Sequence, residues 1–164
     1  MKVAIIFYSF SGNTKRACLF LARKLNAKGM DTDLIELKPK KETTSFFKQG
    51  GQAFFKDILE LTEADYDVGK YELIVFASPL WAFTFAPALR SYLRKIINLE
   101  GKRVGCFLTY GSGLGKGKSL VELENAIRDK KGRLIFSKDF AGTKTKDDTY
   151  LEEVFKPFFD ILGL

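Results

Sequence analysis

A chain of 164 residues, 46% hydrophobic and 29% charged, has the size and composition of one globular domain spanning residues 1–164 with a sizeable core. The absence of histidine excludes Ser-His-Asp and Cys-His catalysis. Two distant cysteines, Cys18 and Cys106, provide neither a disulfide framework nor a Cys/His metal cluster, so no catalytic or metal-ligating set is expected from side chains alone.

The elements alternate along the chain. Val3–Tyr8 is apolar and partly β-branched, the pattern of a buried strand. It stops at Ser9, and a helix is predicted over Thr14–Lys28, with Ala17, Cys18, Leu21, Ala22 and Leu25 at helical spacing and Gly29 as its stop. No small-residue cleavage site follows the N-terminal apolar stretch, so it is not expected to be a secretory signal. Asp31–Leu37 alternates and reads as an outer strand. Lys38–Tyr71 has two Phe pairs, Phe46-Phe47 and Phe54-Phe55, around Gly50-Gly51. A covering helix between strands two and three is expected there, and a lid or subunit contact is the alternative for its aromatics.

Leu73–Ala77 is a continuous apolar run, as in a strand buried on both faces. A helix is predicted over Pro87–Leu99, a strand over Arg103–Thr109, and an amphipathic helix over Lys118–Lys131 ended by Gly132. A last strand, Arg133–Ser137, and a last helix, Asp148–Leu162, complete the chain. Five strands separated by helices imply a three-layer, doubly wound parallel α/β sheet. No apolar run reaches the roughly 18 residues of a membrane span. The two thiols are expected to be buried and free, which points to the cytoplasm.

Three predicted loops fall where such sheets collect ligands, beyond the carboxyl ends of the strands. In the first, Ser9, Ser11 and Thr14 carry hydroxyls, the helix start carries free N–H groups, and Gly12 allows close backbone approach. This is the chemistry of a phosphate site, and also of ordinary helix capping. The second, Ser78–Pro87, places the only tryptophan, Trp81, with Phe83 and Phe85 in a connection. Aromatics there need cover, which a flat ring system would supply. The third, Thr109–Gly115, combines Tyr110 with alternating glycines that bring backbone groups to a ring edge. Two competing motifs fail. Lys116 stands where a dinucleotide fingerprint needs its last glycine, and Ser112 stands where a Walker loop needs its first.

These residues resemble the flavodoxins. Ser9-Phe10-Ser11-Gly12-Asn13-Thr14 is similar to the family's FMN phosphate loop, and Ser78-Pro79-Leu80-Trp81-Ala82 to its second, flavin-contacting loop. Thr109-Tyr110-Gly111-Ser112-Gly113 is similar to its third. The middle loop and the Phe-rich insert also resemble a flavodoxin-like branch of archaea and anaerobes. The resemblance implies strand order 2-1-3-4-5 and bound FMN. It implies a phosphate held by Ser9, Ser11, Asn13 and Thr14 with the Gly12 backbone, a ring against Trp81 and Tyr110, and backbone at Ala82, Gly111, Ser112 and Gly113 meeting its polar edge. Phe10, Ser78, Pro79, Leu80, Phe83 and Thr109 complete the expected set.

Two features depart from the family. The net charge is +7, and no Asp or Glu occurs in Ser78–Arg90 or Thr109–Ser119. Positive potential there favours reduced, anionic FMN and an acidic, ferredoxin-like partner. Nucleic acid is disfavoured because the lysines are spread over many segments. Second, no glycine lies between Ser78 and Arg90, so Ala82 or Phe83 stands where the family turns a peptide over. An electron carrier, monomeric or homodimeric, is the first expectation. An NAD(P)H-dependent FMN or quinone reductase on the same fold is the alternative, and a binding module that has lost its cofactor is the third.

Overall fold

The computed structural model describes residues 1–40, 59–81, 83–112 and 116–164. Most of the expected covering segment, residues 41–58, lies outside the described residues, as do Ala82 and Gly113. The elements in chain order are β1 (Lys2–Phe7), α1 (Asn13–Ala27), β2 (Asp31–Glu36), β3 (Leu73–Trp81) and β4 (Thr84–Phe85). They continue with α2 (Pro87–Lys95), β5 (Arg103–Tyr110), α3 (Lys116–Asp129), β6 (Arg133–Ala141), a 3-10 turn (Gly142–Lys144) and α4 (Asp148–Leu162).

The sheet runs β2-β1-β3-β5-β6, all parallel, and the short β4 folds back antiparallel on β3. Leaving β4 aside, this is the expected 2-1-3-4-5 order. Successive strand residues point to opposite faces, so each central strand feeds two cores. On one face Ala4, Ile6, Ile74, Phe76, Val104 and Cys106 pack with Leu89 and Leu93 of α2 and with Leu123 and Ile127 of α3. On the other, Val3, Ile5, Leu73, Val75 and Phe107 pack with Leu21 and Leu25 of α1 and with Leu151, Phe155 and Phe158 of α4. Phe155 is edge-on to Phe107 and Phe140, at ring separations of 5.3 and 5.7 Å. Gly105 makes room for this layer, since a Cβ there would meet the Phe158 ring at 3.3 Å.

Three boundaries differ from the sequence pattern by more than two residues, each because a non-local partner takes over. β3 continues past Ala77 to Trp81, since β5 keeps pairing with it through Pro79↔Thr109 and β4 closes a hairpin at Leu80↔Phe85. β6 continues to Ala141 along β5 as far as Tyr110. α2 stops at Lys95, not Leu99, because Ile97 donates to Tyr66 O and accepts from Val68 N. No helix among the described residues is long and apolar enough to cross a membrane.

Candidate functional site

The carboxyl ends of β1, β3, β5 and β6 meet around an open cleft of about 230 Å³. The β1–α1 connection contributes Phe10, Ser11 and Asn13; β3 contributes Pro79, Leu80 and Trp81; β5 and the residue after it contribute Thr109, Tyr110 and Gly111. Gly142, directly after β6, closes the wall.

The helix starts explain the polar end. α4 is capped by Asp147, whose side chain accepts from Thr149 N and Tyr150 N. α1 has Gly12 as its N-cap residue, at φ 84°, with no side-chain cap hydrogen bond. Ser9 Oγ accepts only from Lys15 N, at 3.1 Å. The N–H groups of Ser11, Gly12, Asn13 and Thr14 therefore have no acceptor among the described residues. Four such donors at the positive end of a helix dipole form an anion cradle.

Three other hydroxyls of the expected set, those of Thr14, Thr109 and Ser78, are tied into the framework. Thr14 Oγ1 and Thr109 Oγ1 are hydrogen-bonded at 2.8 Å in the interior, tying α1 to β5. Ser78 Oγ, fully buried, accepts from Ala86 N and donates to Pro79 O, both at 2.9 Å. It braces the β3–β4 hairpin and does not line the cleft. Thr84, Arg90 and Glu122 brace the same hairpin from outside. Thr84 Oγ1 donates to Glu122 Oε2 at 2.5 Å, Arg90 Nη1 lies 2.8 Å from Glu122 Oε1, and Arg90 also bonds Thr84. Burial alone would raise the Glu122 carboxyl, but the hydrogen bonds from Arg90 and Thr84 outweigh it and hold the group below its ordinary value.

The apolar wall is aromatic. Trp81 stacks on Tyr8 with ring centres 6.3 Å apart and planes 13° apart, and Phe10 leans on the same indole at 6.1 Å. The Lys116 ammonium lies 4.9 Å from the Tyr110 ring centre. Phe83 is 62% exposed and has φ 69°, the left-handed region that a Cβ disfavours; it does not line the cleft. Ser112 is exposed beyond the rim.

Of the expected residues, Phe10, Ser11, Asn13, Pro79, Leu80, Trp81, Thr109, Tyr110 and Gly111 are thus brought together. Gly12 shapes the cradle; Ser9 Oγ accepts from Lys15 N, which leaves its O–H to donate, while Thr14 Oγ1 is tied to Thr109. Gly142, Tyr8 and Arg16 are additions. A glycine directly after the last strand marks Gly142 once that strand is known to reach Ala141.

Residues 1–142 match the family of NADPH-dependent FMN reductases. Among solved structures, a flavodoxin from the domain Archaea aligns over 98% of this chain and 96% of its own, at 16% identity and TM-score 0.63. The Megasphaera elsdenii flavodoxin in its two-electron reduced form aligns over 93% and 96%, at 17% identity and TM-score 0.62. A Lactobacillus acidophilus flavoprotein in complex with FMN aligns over 93% and 97%, at 22% identity and TM-score 0.60. At such identities the likeness is one of fold. No curated protein sequence matches the chain.

Proposed function

Since the chain belongs to the family of NADPH-dependent FMN reductases and FMN is its cofactor, we propose that it is a flavodoxin-like carrier passing electrons between protein partners. The residues fit the group. The uncapped start of α1 suits the phosphate, with the N–H groups of Ser11, Gly12, Asn13 and Thr14 as donors. Trp81 and Tyr110 would flank the ring, and the backbone at Gly111 and Ser112 would meet its polar edge. FMN, when bound, accepts and releases the electrons; the protein binds it, orients it and shields one side from water.

The observation that carries this reading is the shallow cleft with an exposed aromatic rim. Among the described residues it measures about 230 Å³, below the roughly 300–1,000 Å³ of pockets that enclose a drug-sized ligand. Phe10 and Phe83, 63% and 62% exposed, stand at the mouth and beside it, where an approaching protein would meet them. The partner is acidic and ferredoxin-like. None of the three loops carries a carboxylate, and Lys116 lies on the rim. Burial pushes the Cys106 thiol up to about 12, and Cys18 is also buried and free, which agrees with a cytoplasmic location.

The family itself favours a second reading, an NAD(P)H-dependent reductase of FMN or a quinone. Anaerobic mixing of the FMN-loaded protein with NADPH, with and without a quinone, and separately with a reduced ferredoxin separates the two. Rapid reduction by the ferredoxin and slow reduction by NADPH are expected. Multiple NADPH turnovers in the presence of quinone would overturn the carrier reading.

A further inference from the structure

Arg16 sits on α1 one turn beyond the cradle, half-buried. Its guanidinium donates to Asn13 Oδ1 and, at 3.4 Å, to Thr145 Oγ1. A Cβ built on Gly12 would lie 3.4 Å from its Nη1, so the cation is directly behind the loop backbone. The neighbouring Lys15 is neutralised by Glu36 at 2.7 Å, whereas no carboxylate among the described residues pairs with Arg16.

Asn13 has one amide oxygen and one amide nitrogen to place. Arg16 claims the oxygen, which turns Nδ2 to the opposite side. There it would stand 3.1 Å from a Cβ on Gly142, against the cleft wall that Asn13 and Gly142 share. The same arginine thus holds an N–H donor group toward the cleft and, among the described residues, has no carboxylate partner and stands next to four backbone donors without acceptors.

We propose that Arg16 is the charge partner and positioning residue of the phosphate subsite, selecting the phosphorylated flavin over riboflavin. This rests on the FMN reading above. Backbone N–H groups alone present partial charges to a dianion. Arg16 adds a full one, and it fixes the Asn13 amide in its donating orientation.

The test is titration of apo-protein with FMN and with riboflavin, for the wild type, Arg16→Gln and Arg16→Lys, at low and high salt. Charge-assisted hydrogen bonds correspond to roughly ten- to hundredfold in affinity, so Arg16→Gln is expected to weaken FMN by about that factor and to leave riboflavin unchanged. Arg16→Lys recovers part of the loss, and the salt dependence of FMN binding falls in the glutamine variant. If glutamine is not tolerated, Arg16→Met, which keeps the packing of the stem, gives the same comparison. Equal loss of FMN and riboflavin would make Arg16 merely structural and overturn the proposal, as would an unchanged FMN affinity. A wild type that binds neither flavin would instead overturn the FMN reading on which the proposal stands.

Discussion

Replacing Phe83 by glycine should stabilise the protein. Phe83 is held at φ 69°, and 62% of its surface is exposed. The left-handed region costs a residue with a Cβ about 1–2 kcal/mol, which glycine avoids. Against that, glycine's extra freedom in the unfolded chain costs about 0.4–1 kcal/mol. The exposed ring has little burial to lose, so the net gain is roughly 0.5–1 kcal/mol. For a chain of this size that is a rise in melting temperature of about 1–4 °C. Thermal melts of apo-protein followed by circular dichroism measure it, with Phe83→Ala as the control. Alanine removes the ring but keeps the Cβ, so the difference between the two variants isolates the backbone. A glycine variant that melts at or below the alanine variant would refute the reasoning.

Three other outcomes follow from the same contacts. Gly142→Ala places a Cβ 3.1 Å from Asn13 Nδ2 and 3.4 Å from Thr109 Cβ; overpacking of this kind costs about 1–3 kcal/mol, and both the melting temperature and FMN affinity should fall. Glu122 titrates below its ordinary value of 4.5 in the folded protein, so its contribution is present above that pH and is lost as pH falls through the lower, folded value. Acid titrations of wild type and Glu122→Gln should therefore converge at the acid end and separate above pH 4.5, with the wild type more stable. Ser78→Ala leaves Ala86 N buried without its acceptor, which should cost about 1–3 kcal/mol in denaturant titrations, with riboflavin and FMN affinity falling together because the Trp81 hairpin loosens.

The fold was largely legible because its signals are local. Val3–Phe7 and Leu73–Ala77 are apolar without interruption since helices cover both faces of the sheet, and Gly29 marks a helix end by its left-handed backbone, whereas Gly132 marks one because a Cβ there would press on Ile127 and Val104. What the pattern hid is set by partners distant in sequence. Ser78-Pro79-Leu80-Trp81 has the composition of a turn, yet β5 alongside and β4 folding back make it strand. Lys138 and Asp139 disguise the end of β6, and with it Gly142. In the site, a run of hydroxyls after the first strand marks an anion cradle but not which groups stay free. Thr14 is tied to Thr109 and Ser9 Oγ accepts from Lys15 N, while the backbone N–H groups and the exposed Ser11 hydroxyl have no partner among the described residues. Arg16 carried no signal of its own, since a basic residue on an exposed-looking helix turn is ordinary. Only its contacts with Asn13 and Thr145 distinguish it.

The chain has a single tryptophan, and it lines the cleft, so the indole reports directly on what enters there. Titrating apo-protein with FMN while following Trp81 emission should give strong quenching that saturates at one flavin per chain. Emission that is unchanged while FMN remains free, or tight FMN binding that leaves Trp81 unquenched, would contradict the account.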